Sequence, residues 1–221
     1  MLFDLQGKRR RVVQVTYLML AVLMGGGLVL FGIGGDVQGG LFDAFRENKA
    51  QGGDNTVIEQ RVEAADKRLG ANPRDEAALK DAIRGNYQLA AQGANQDTGA
   101  FTAEGKARLG RADDAWRRYL ALDPERPDDS LAGLMVQAYV GLEQYGRAAD
   151  AAEVVARARP SAQAYLQLSQ LAAQAGQERT ADLAGERAVE LAEDRDEKKV
   201  VREQLKQIDA ATAAQKGAQA P

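Results

Sequence analysis

Residues 111–124 read RADDAWRRYLALDP and residues 147–160 read RAADAAEVVARARP. The two stretches share R-A-x-D-A and end on proline, in register at an offset of 36 residues. Proline closes each because it cannot continue a helical hydrogen-bond ladder. QRVEAADKRLGANP (60–73) fits the same frame at an offset of 51. ADLAGERAVELAED (181–194) fits at 33, with Ala181 under Ala148 and Ala188 under Val155. Upstream of two of these copies run LAGLMVQAYVGLEQYGRAADA and AYLQLSQLAAQAGQERTADL. Each is an apolar-periodic helix, a short turn, then a small-residue helix. No run alternates β-branched residues with period two, so the chain is expected to be all-α.

Composition agrees with this reading. Hydrophobic residues make up 45% of the 221, much of it alanine, and aromatics only 5%. Burying enough area with so few bulky groups requires close helix–helix approach. Charged residues, at 28%, suit charge-laced helices. There is no cysteine and no histidine, which removes disulfides, thiolate nucleophiles, the commonest general base and the usual zinc ligands. The carboxylate pairs Asp113–Asp114 and Asp128–Asp129 are sequence neighbours that do not face a common substrate, and they read as solvated surface. Gly105–Lys106 is followed by Ala107, so no phosphate loop forms, and neither a calcium loop nor a nucleophile-elbow serine is present. No catalytic residue, cofactor, metal or small-molecule substrate is expected, and the chain is not expected to be an enzyme.

The N-terminus is of another kind. From Val12 to Gly35 there are 24 residues without a charge, preceded by Lys8, Arg9, Arg10 and Arg11. That is long enough to cross the hydrocarbon core and longer than a secretory h-region, so residues 12–35 are expected to be an uncleaved transmembrane helix. The basic residues 1–11 then stay cytoplasmic, and the body lies outside the plasma membrane. Residues 1–35 carry +3, which leaves −6 for the rest of a chain whose net charge is −3. A mildly acidic body argues against a nucleic-acid partner. Ala21 with Gly25, Gly26 and Gly27 forms a small-residue surface that either packs on another membrane helix or is tolerated glycine in a lone span. Residues 36–55 are a glycine-rich linker in which Leu41, Phe42 and Phe45 form an apolar turn or a plain loop.

Taken together, the registered copies resemble the tetratricopeptide repeat, two antiparallel helices in about 34 residues with small residues at the crossings. The resemblance spans 56–193 and implies a short α–α superhelix of about three repeats. Repeat two carries Tyr139, Tyr145, Ala148 and Pro160 at the family's aromatic, alanine and proline positions. Repeat three carries Tyr165, Leu168, Gly176, Ala181 and Ala188, with Glu193 in place of the closing proline. Repeat one carries Leu79, Ala112, Trp116 and Pro124 but is about 17 residues over length, the excess falling at 92–105 with Thr102 as N-cap of the next helix. Residues 56–71 resemble the second helix of an incomplete leading repeat. Ala65, Ala112, Ala148 and Ala181 are the expected close-approach positions. Residues 194–213 form a capping helix with Val200, Val201, Leu205 and Ile208 as its apolar stripe, and 214–221 is a flexible tail.

The resemblance also implies a mode of action. Tetratricopeptide proteins bind partner segments in a groove lined by the first helix of each repeat. Those positions here are Lys80, Arg84, Tyr87, Gln137, Gln163, Gln167, Gln170 and Gln174. Lys80 and Arg84 are then placed for an acidic or C-terminal carboxylate. Alternatively Lys80 pairs locally with Glu76, and the glutamine row is soluble surface. The family's full carboxylate clamp is incomplete, since repeats two and three offer no cation at those places. In layout the chain is similar to bacterial translocon-associated proteins that join one membrane helix to extracytoplasmic repeats. The expected function is a membrane-tethered scaffold, adaptor or chaperone-like, for protein or peptide partners. The alternative is a structural assembly factor of an envelope complex acting through its membrane helix.

Overall fold

The computed structural model describes residues 55–95 and 98–219, with side chains to residue 214. The expected span 12–35, the linker to residue 54 and the packing surface of Ala21 and Gly25–Gly27 lie outside these residues. Among the described residues no helix is long and apolar enough to cross a membrane. They contain eight α-helices and no strand. In chain order these are α1 (Asn55–Ala71), α2 (Glu76–Gln92), α3 (Ala103–Leu120), α4 (Asp129–Gly141), α5 (Tyr145–Ala158), α6 (Ala162–Gln174), α7 (Glu178–Leu191) and α8 (Arg195–Gln219).

The hairpins α4–α5 and α6–α7 have the same dimensions, 13 and 14 residues each. Their first helices are capped by side chains. Asp128 accepts from the amides of Ser130 and Leu131, and Ser161 from that of Ala164. Their turns close with the same pair of bonds. The Gln144 amide reaches the Tyr139 carbonyl at 2.8 Å, and the Gln177 amide reaches the Ala172 carbonyl at 2.9 Å. One residue earlier, Glu143 and Gly176 donate to the carbonyls of Val140 and Ala173. This double closure requires a left-handed residue, and φ is 57° at Glu143 and 73° at Gly176. Glycine adopts that conformation freely, whereas a residue with a Cβ is strained there. Glu143→Gly is therefore expected to raise stability by about 1 kcal/mol, read as a higher midpoint in thermal unfolding.

The first hairpin is larger. Helices α2 and α3 have 17 and 18 residues, and residues 93–102 join them. The excess expected at 92–105 is thus shared between a longer connection and roughly one extra turn on each helix. Thr102 caps α3 as expected, accepting from the Gly105 amide at 3.1 Å. Each helix packs on its sequence neighbour within a hairpin. In addition α2 touches α4, α5 touches α6, and α8 lies against both α6 and α7, which makes a helical, repeat-like stack.

Small residues set its spacing. Ala65, Ala112, Ala148 and Ala181 are all buried. A further close approach falls at Gly85, where an added Cβ would lie 2.4 Å from Val62 Cγ2, so α1 rests directly on the α2 backbone. One continuous core runs from Ala65 to Ala184, with Trp116, Tyr119 and Tyr139 as its buried aromatics, the ring centroids of the first two 5.6 Å apart. A smaller core joins Ala162, Leu166, Ala188, Ala192, Val201 and Ile208 at the α8 end. There the expected stripe needs correcting. Val201, Leu205 and Ile208 face inward, but Val200 is 56% exposed, since it lies about 100° round the helix from Val201. Helix α8 also continues past 213 to Gln219, because Ala, Gln and Lys sustain helix where a free tail was expected.

Candidate binding surfaces

The cations expected to line a groove sit on one ridge of α2 and already have partners. Lys80 Nζ lies 2.8 Å from Glu76 and 3.9 Å from Asp128, and 5.4 Å above the Tyr119 ring. The hydrogen bond to Glu76 raises the Lys80 pKa against the opposing effect of burial. Arg84 Nη2 reaches Asp128 Oδ2 at 3.0 Å. Asp128 is the meeting point: one oxygen caps α4, the other takes Arg84, and its own amide donates to the buried Tyr119 hydroxyl at 2.8 Å. A carboxylate ligand at Lys80 and Arg84 would compete with Asp128, a residue that also starts a helix. Tyr87, next along α2, is half-buried, which pushes its pKa above 10.0.

The amides are different. Gln163, Gln167, Gln170 and Gln174 recur at i, i+4, i+7 and i+11, which puts them on one stripe of α6. Gln163 is exposed and the other three half-buried, as is Gln137 on α4. Among the described residues none of these five amides has a hydrogen-bond partner. Each carries donors and an acceptor, the complement of a peptide main chain. The structure therefore brings the row together on one helix and separates it in character from the ion-paired α2 ridge.

Of the paired aspartates only Asp114 is the exposed surface expected from sequence; Asp113 is buried, and Asp128 and Asp129 are half-buried. Asp113 is only 8% exposed. Its Oδ1 accepts from the Tyr139 hydroxyl at 2.5 Å, and its Oδ2 from Arg147 at 2.9 Å, with Arg117 at 3.3 Å. Burial, and after it the bond to Asp113, holds the Tyr139 hydroxyl well above its ordinary 10.0. One carboxylate thus joins α3, α4 and α5. Asp114 is exposed and pairs with Arg117, while Asp129 pairs with Arg159 beyond the end of α5. Asp113 and Asp129 thus tie one helix to the next, whereas the Asp114–Arg117 pair lies within α3.

A cleft of about 520 Å³ lies between α6, α7 and α8. Sequence reasoning passed over it, although Glu178, Asp182, Glu186 and Glu190 recur every four residues along α7. Among the described residues no group of acidic side chains is arranged to hold a metal ion. Comparison with known proteins finds no matching family model, no matching curated protein and no matching solved structure.

Proposed function

We propose that this chain is a tetratricopeptide-type scaffold that holds partner proteins or peptides against the first helices of its repeats. Residues 12–35 tether it to the plasma membrane as a single span, with the N-terminus cytoplasmic and the repeats outside. The observation that carries the reading is the unpaired amide stripe of Gln163, Gln167, Gln170 and Gln174 on a rigid, repeat-like stack. Such a row offers main-chain hydrogen bonds to an extended segment with little demand on its sequence, which suits an adaptor or chaperone-like role. Tethering raises the local concentration of a groove with modest affinity, so a few such bonds suffice near the membrane.

The test is partner recovery by crosslinking in native membranes. Gln167→Ala, Gln170→Ala and Gln174→Ala together are expected to reduce recovery about tenfold, since three hydrogen bonds of about 0.5 kcal/mol each are lost. Reversing Lys80 and Arg84 is expected to have a smaller effect on recovery, because Asp128 already engages them. If recovery survives the glutamine changes and falls when Gly25–Gly27 are replaced by leucine, the scaffold reading fails and assembly through the membrane helix takes its place.

A further inference from the structure

The cleft between α6, α7 and α8 has a floor and a rim of different chemistry. Its floor is Ala181, Gly185 and Val189 of α7 with Leu205 of α8. Gly185 keeps the floor low: a Cβ there would lie 2.9 Å from Leu205 Cδ2 and 3.5 Å from Ser169 Oγ. Ser169 is committed to the Ala181 carbonyl at 2.8 Å, so the floor presents no free donor. The rim is acidic, with Asp182, Glu186 and Glu190 along α7 and Asp209 across from them on α8. Glu190 pairs with Arg187. Asp182, Glu186 and Asp209 are exposed and have no ion-pair partner among the described residues.

Three features constrain what fits. The volume, about 520 Å³, admits several side chains of a segment lying in the cleft. A half-apolar floor of Val189 and Leu205 favours aliphatic side chains pointing down. The rim acids repeat at i and i+4, about one helical turn of 5.4 Å, so a helix lying alongside presents its own i, i+4 residues at the same pitch. The complementary segment carries Lys or Arg on the stripe facing the rim and Leu or similar residues on the adjacent stripe. We infer that this cleft docks a basic amphipathic helix of a partner protein, at a surface separate from the α6 amide row. Steering by the rim acts chiefly on association and weakens with salt, while the apolar floor retains the bound helix.

The test uses the full chain in non-ionic detergent and a fluorescent synthetic helix with Leu at i and i+4 and Lys on the neighbouring stripe. The expected result is binding that falls about tenfold when Asp182→Lys and Glu186→Lys are combined, as ion pairs are replaced by repulsion. Both side chains are exposed, so the variant keeps its fold, which circular dichroism checks. Glu59→Lys with Asp66→Lys on α1 changes net charge equally and is expected to leave binding within about twofold. The glutamine variants are expected to bind the probe as the unaltered chain does. Equal loss from both charge reversals overturns the inference, as does equal binding of a peptide with Glu in place of Lys. Tenfold tighter probe binding after removal of residues 1–11 would assign the cleft to the chain's own Lys8–Arg11 and overturn the partner assignment. Self-association abolished by the cleft reversal would likewise assign it to a second copy.

Discussion

Asp113→Ala is expected to lower the free energy of unfolding by about 3 kcal/mol, although it removes one small side chain. The substitution takes the acceptor from the Tyr139 hydroxyl and the anion from Arg147 and Arg117 in one step. The tyrosine carries most of the loss, because its ring is buried and its O–H has no water to turn to. Both arginines are more than half exposed in their side chains and can rehydrate, which keeps the cost at the lower end for a broken buried pair. Tyr139→Phe, which removes the donor and keeps the ring, is expected to cost about 1 kcal/mol. Urea denaturation of the two single variants and the double variant separates these contributions. If the double variant loses the sum of both single losses, the residues are uncoupled and the joint is not the unit described.

Gly85→Leu is expected to cost a similar amount, about 3 kcal/mol, for the opposite reason. Leucine is the better helix former by roughly 1 kcal/mol, so an unpacked α2 would gain from the change. Here the added Cβ meets Val62 Cγ2 at 2.4 Å, and Val62 is buried with a branched, stiff side chain that cannot swing aside. The two helices must part along their length, which loses contacts well beyond the one position. Removing the obstacle identifies the cause. Val62→Ala with Gly85→Ala exchanges bulk across the crossing and is expected to recover most of the stability. A double variant as unstable as Gly85→Leu alone would sink this account.

The helices and their small-residue crossings were legible because they are encoded locally. The i, i+3 and i+4 pattern marks the faces, proline and Thr102 mark ends, and the registered alanines are each buried. Asp113 was not legible, because its burial depends on Tyr139 and Arg147, 26 and 34 residues away. Beside Asp114 it looks like half of an exposed acidic pair. Asp128 hid its role in the same way: a helix cap is readable from sequence, but its bonds to Arg84 and the Tyr119 hydroxyl arise only when α2, α3 and α4 stack. The glutamine stripe was visible as a periodicity, yet whether its amides were spoken for depended on neighbours from other helices. The acid repeat on α7 was equally visible, but a cleft needs two walls, and α8 supplies the second.

The unequal cores give the molecule a firm part and a loose part. Helices α3, α4 and α5 are locked by a shared buried anion and a large aromatic core, whereas α8 rests on a small aliphatic cluster with no such lock among the described residues. Fraying therefore starts at α8, and the cleft it helps to wall is the surface that breathes most readily. A helix seated there would tie α7 to α8 and still that motion, so occupancy at one end would register as order in the scaffold without any change in its shape.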